Sequence, residues 1–329
     1  MAKLFFGRDK KAAYFNMGVM FPFSILMAVI CTLLRSLSYL FFFDTDPGYF
    51  AESFLPQTAG SMLVVVTVFL LCGFFFIAKD AELCRSLDTA DNTVFFTSVF
   101  AGFILLADFA FKVYTIIGDD KISYYKFIFD KAYKADDAYT SRAVAIIQLV
   151  GVIASVAAAC CFFVRSSKKV NRRLSAILGF FPVVRALVGI AQIYFEMKIQ
   201  MNHPSKLMLQ FALIAIMLFF LAEERYFISE SHIRPRSYFV FGCIALYLGF
   251  VGGVSEMVGF FSGKLTRGDF CVEAFLCLVM SIYAFARMKA FAYYVPHPDA
   301  SPEKTELDPV EAESVESFAE ETPSADVEE

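Results

Sequence analysis

Long apolar stretches alternate with short polar ones along most of the chain. Eight stand out, at residues 17–43, 59–78, 94–117, 143–164, 174–197, 207–222, 238–261 and 270–288. A helix needs about 20 apolar residues to cross a bilayer. The sixth stretch is shorter and is expected to borrow residues from its flanks. In lipid every backbone N–H and C=O must find its partner within the spanning segment, so each stretch is read as an α-helix. The pattern predicts an all-α polytopic integral membrane protein with about eight transmembrane helices. The opening MAKLFFGRDKK precedes an apolar run too long for a signal peptide and without a small-residue cleavage site.

Two polar regions break the rhythm. Between the third and fourth stretches, Ile122, Tyr125, Phe129 and Tyr133 recur at helical spacing among lysines. Residues 119–141 therefore read as an amphipathic helix lying in the outer membrane interface. After residue 294 the chain becomes acidic and rich in Pro and Ser. Residues 295–329 are expected to be a disordered cytosolic tail beside a bundle formed by residues 1–294, because the tail has almost nothing to bury. A weak correspondence between two four-helix halves is visible: Phe21–Pro22 matches Phe181–Pro182, and FIAKD at 76–80 matches FLAEE at 220–224. Parallel repeats of this kind occur in transporters.

Polar residues inside the apolar stretches carry the most information. Residues 103–117 read FILLADFAFKVYTII, with Asp108 and Lys112 one turn apart on one face. In the fifth stretch Arg185, Gly189, Gln192 and Glu196 form a single polar stripe. Ser24, Ala28, Thr32 and Arg35 repeat that spacing in the first, and the seventh carries Gly242, Gly249, Gly252, Gly253 and Glu256. Gln148, Gly151 and Ser155 mark the fourth, and Glu273 the eighth. The second and sixth show no stripe and are expected at the lipid-facing periphery. Alternating direction puts Arg35, Asp108, Lys112, Gln192, Glu196, Glu256 and Glu273 in the outer half, with Arg185 near the middle. A charge at that depth costs several kcal/mol unless paired or wetted. The set therefore predicts one charge-compensated cluster in the outer half. Snorkelling to the interface is the competing account for Arg35, Glu196 and Glu273.

Charge sets the orientation. The net charge of −4 conceals a tail with twelve Asp/Glu and one Lys from Pro296 onward, which leaves the body at about +7. Arg165, Lys168, Lys169, Arg172 and Arg173 lie between the fourth and fifth stretches; Lys3, Arg8, Lys10 and Lys11 lie at the N-terminus. By the positive-inside rule both termini are expected in the cytosol of a plasma-membrane protein. The lysine-rich residues 118–142 on the opposite side dissent.

Candidate chemistry is sparse. The eight cysteines lack metal or redox spacing, and the three histidines lie in loops or the tail. No metal, nucleophile or phosphate-loop motif is present, and Glu223–Glu224–Arg225 reads as a solvated helix end. No enzyme activity, cofactor, metal or nucleic-acid partner is expected. Two functions remain open. The first is transport of a small polar solute through a cavity lined by Arg35, Asp108, Lys112, Arg185, Gln192, Glu196 and Glu256. The second is a non-catalytic sensor or assembly protein with structural charges, whose acidic tail docks a cytosolic protein.

Overall fold

The structure, a computed structural model, describes residues 10–44, 49–50, 55–77, 92–118, 142–167, 170–195, 203–228, 235–265 and 268–294. They form nine α-helices: α1 (Lys10–Phe42), α2 (Leu55–Ile77), α3 (Asn92–Gly118), α4 (Arg142–Arg165), α5 (Arg172–Leu178), α6 (Phe180–Phe195), α7 (Pro204–Ile228), α8 (Pro235–Phe261) and α9 (Gly268–Tyr294). Two short strands, β1 (Phe43–Asp44) and β2 (Tyr49–Phe50), pair antiparallel within the connection after α1. That ladder was not foreseen from the sequence. The expected interfacial segment 119–141 and the tail 295–329 lie outside the described residues.

The protein is an all-α polytopic membrane protein. Among the described residues, seven helical spans are long and apolar enough to cross a bilayer, and α2 contributes a further apolar segment, Gly60–Gly73. Each expected stretch coincides with a helix or, for the fifth, with the α5–α6 pair. The sixth does borrow from its flanks, since α7 extends from Pro204 to Ile228. The interruption between α5 and α6 at Gly179 has a local cause. Pro182 lacks the N–H that the Leu178 carbonyl would accept in a continuous helix.

The helices run alternately up and down. The upper end holds the ends of α1, α3, α6 and α8 and the starts of α2, α4, α7 and α9. The lower end holds the starts of α1, α3, α5 and α8 and the ends of α2, α4, α7 and α9. Helices α7, α6, α4, α3 and α9 pack each against the next in a ring, and α9 closes it against α7. α8 lies against α7 and α9 and carries α1 and α2 on its other side. The most extensive pairing is α8 with α9. Small residues permit it: a Cβ at Gly249 would come within 3.0 Å of the Cys277 carbonyl, and one at Gly253 within 2.8 Å of the Ala274 carbonyl.

Large apolar side chains such as Leu26, Phe69, Phe96, Ile153 and Phe211 cover the outside, while Arg165, Arg185, Glu223 and Arg287 are buried. This is the polarity expected of a bundle in lipid. α2 is peripheral, as expected. The sixth stretch is not: α7 is central, with Ala212, Ala215, Phe219 and Phe220 at most 4% exposed. A helix that is apolar all round suits either lipid or a packed interior, so lack of a stripe was no guide to its position.

Candidate functional site

Buried polar groups gather at three depths. The uppermost cluster joins α1, α7 and α8. Arg35 Nη2 donates to Glu256 Oε1 at 2.8 Å and to the Pro204 carbonyl at 3.1 Å. Tyr39 donates to the same Glu256 oxygen at 2.7 Å, and its hydroxyl lies 2.9 Å from Ser205 Oγ. The Arg35 guanidinium sits 5.4 Å from the Tyr39 ring centre and 5.9 Å from that of Phe50. β2 thus supplies part of the aromatic wall for this cation.

The second cluster lies inside the ring, about 12 Å lower if measured along α7 from Ser205 to Leu213 at the helical rise of about 1.5 Å per residue. Asp108 Oδ2 accepts from Arg185 Nε at 3.0 Å and from Ser155 Oγ at 2.7 Å. Arg185 reaches Glu273 with both terminal nitrogens, at 2.8 and 3.3 Å. Lys112 is held loosely. Its Nζ is 3.3 Å from Gln192 Oε1, 3.6 Å from Asp108 Oδ1 and 3.8 Å from Glu273 Oε1. Gly189 lets the pair pack against the α6 backbone, since a Cβ there would meet Glu273 Oε2 at 2.9 Å. A cavity of about 20 Å³ adjoins Arg185 and Glu273, with Leu105, Leu213, Phe220 and Met280 among its walls. It has room for about one water.

The third cluster is near the lower end and joins α4, α5, α7 and α9. Arg165 donates to Glu223 Oε2 at 2.6 Å, to Ser175 Oγ at 3.1 Å and to Glu224. Glu223 Oε1 accepts from Tyr283 at 2.9 Å and lies 3.0 Å from Arg287 Nε. Arg165 and Glu223 are both fully buried. Gly179 borders this cluster, and a Cβ added there would run into the Glu224 carboxylate and the Arg165 guanidinium. Gly179→Ala is therefore expected to destabilise the folded protein by about 1–3 kcal/mol, the usual cost of overpacking. Thermal unfolding in detergent would measure it, and an unchanged midpoint would mean the Arg165–Glu224 pair is not seated against α5–α6.

The expected single cluster is thus two. Asp108, Lys112, Arg185 and Gln192 come together with Glu273 and Ser155, whereas Arg35 and Glu256 pair separately. Arg35 and Glu273 find partners inside the bundle rather than snorkelling. Glu196 lies outside the described residues. The third cluster was missed altogether. Glu223 and Glu224 are not a solvated helix end: they are at most 3% exposed, and only Arg225 of that triplet is exposed. Arg165, counted among the loop cations, is likewise inside. The usable signal was that Arg165, Glu223 and Arg287 each border an apolar stretch at the same end of the bundle, with balancing charges. Comparison with protein-family models, with curated proteins and with solved structures returns no match to this chain.

Proposed function

We propose that the chain is a non-enzymatic plasma-membrane transporter or permease for a small polar solute. Its site is the network of Asp108, Lys112, Arg185, Gln192 and Glu273 at the centre of the five-helix ring. The lower end and both termini face the cytosol on this reading, in keeping with Arg172, Arg173, Arg225 and Arg236 at the lower helix ends.

The observation that carries the proposal is the loose seat of Lys112. Its ammonium has contacts of 3.3, 3.6 and 3.8 Å and its side chain is 13% exposed. Asp108 Oδ1 and Gln148 Oε1 are buried without a hydrogen-bond partner. A buried polar group is normally satisfied. Incomplete satisfaction beside a movable cation is what an arriving solute with its own donors and acceptors would complete. The cavity of about 20 Å³ beside Arg185 is too small for a solute, so binding requires the ring to open first.

That same closure favours a second reading, in which the charges lock the bundle of a sensor or assembly protein and the tail recruits a cytosolic partner. Liposomes containing the purified full chain would separate the two. Uptake should be assayed with amino acids, sugars and nucleosides, and compared with the Asp108→Asn/Lys112→Met variant. Transport predicts uptake of one class, lost in a variant that remains folded. Uptake of none, or uptake unaffected by the double substitution, would sink the transport reading for this site.

A further inference from the structure

The lower cluster leaves a set of donors unused. Arg287 is 1% exposed, and its Nε serves Tyr283 at 2.8 Å and Glu223 at 3.0 Å. Its two terminal nitrogens, Nη1 and Nη2, are buried with no hydrogen-bond partner. The Tyr238 hydroxyl, from the first turn of α8, is also buried and unpartnered. Tyr238 belongs to the same layer: Phe219 lies 5.6 Å from its ring and 6.3 Å from that of Tyr283. Tyr238 also packs on Phe291, one turn beyond Arg287 on α9, with ring centres 5.4 Å apart.

Unsatisfied donors on a buried guanidinium are expensive, more so than on a neutral group. Both oxygens of Glu223 are used. Glu224 accepts from Arg165 through Oε1 on the Gly179 side, and its Oε2 is buried without a partner. Around Arg287 itself the unpartnered groups are donors: two terminal nitrogens with two N–H bonds each, and the Tyr238 O–H. A water has two lone pairs to offer such a group, whereas a spherical anion accepts from every direction and adds the charge. The surrounding field favours an anion as well. The described ends of α5, α7, α8 and α9 add Arg172, Arg173, Arg225, Arg236 and Lys289 around the cluster and no further carboxylate. Packing of Val94, Ala286 and Ala290, all at most 5% exposed, closes the α3 side.

We propose that Arg287 Nη1 and Nη2, together with the Tyr238 hydroxyl, form a buried binding site for a monovalent inorganic anion. This site is independent of what the upper network binds. Chloride is the probe. The full chain in detergent is unfolded thermally in chloride or in gluconate at equal ionic strength. The midpoint should rise with chloride and saturate, as mass action requires of a ligand that binds only the folded state. Bromide should replace chloride. Tyr238→Phe removes one donor and should raise the half-saturating chloride concentration about five- to tenfold. Arg287→Gln should abolish the dependence. If that variant fails to fold, Tyr238→Phe carries the test. Equal midpoints in chloride and gluconate would mean ordered water alone and overturn the proposal. So would a chloride dependence that Tyr238→Phe leaves unchanged, because the anion would then sit elsewhere.

Discussion

Asp108→Asn is expected to destabilise the bundle by about 3–5 kcal/mol, the usual result of leaving a buried charge uncompensated. The side chain keeps its shape and can still accept from Ser155 and Arg185, so the loss is one of charge. Asp108 and Glu273 balance Arg185 and Lys112; without Asp108 the network carries one surplus cation. The rescue is the sharper part. Arg185 is the nearer partner, at 3.0 Å against 3.6 Å for Lys112. Even so, Lys112→Met should restore Asp108→Asn better than Arg185→Met does. The first combination leaves the two-point Arg185–Glu273 bridge intact. The second leaves Glu273 with only Lys112, 3.8 Å away. Unfolding in detergent would rank the two double variants. A harmless Asp108→Asn would mean that the ring interior is wet and the network is not a closed ion-pair unit.

Glu223→Gln should be at least as damaging, again about 3–5 kcal/mol by the same logic. This one carboxylate serves Arg165, Tyr283 and Arg287, which come from two different helices. Its loss strands Arg287, while Arg165 retains Glu224. Adding Arg287→Met removes the stranded charge and should recover most of the stability; adding Arg165→Met strands Glu224 as well and should not. Because these residues touch one another, the single effects will not sum, and the double variants are the informative measurement. Equal recovery with either second substitution would contradict the pairing described above.

Polarity patterning was enough to read the helices. Every apolar stretch became helical because lipid leaves the backbone no other way to satisfy its hydrogen bonds. Asp108, Lys112, Arg185 and Gln192 were also legible, since each interrupts an apolar run at a spacing that puts it on a polar face. The boundaries were less so. α7 continues six residues past the expected end at 222, and that difference turned Glu223 and Glu224 from helix-end residues into buried ones. Charges near the margin of an apolar run have the same local pattern whether they reach solvent or meet a partner.

The residue pattern alone is sufficient for an all-α polytopic membrane protein whose interior holds charges needing compensation. Both follow from the cost of unpaired polar groups in an apolar medium, a cost each segment carries alone. How those charges divide depends on the packing of the helices. Arg35 meets Glu256 across α1 and α8, Arg185 gathers Asp108 from α3 and Glu273 from α9, and Arg165 and Arg287 share Glu223. Packing also puts α7 in the centre rather than at the edge. Pairing between helices depends on which ones are neighbours and at what depth their side chains meet. Small residues such as Gly179, Gly189, Gly249 and Gly253 set those approaches, and one helix's periodicity holds no record of the helix it will face.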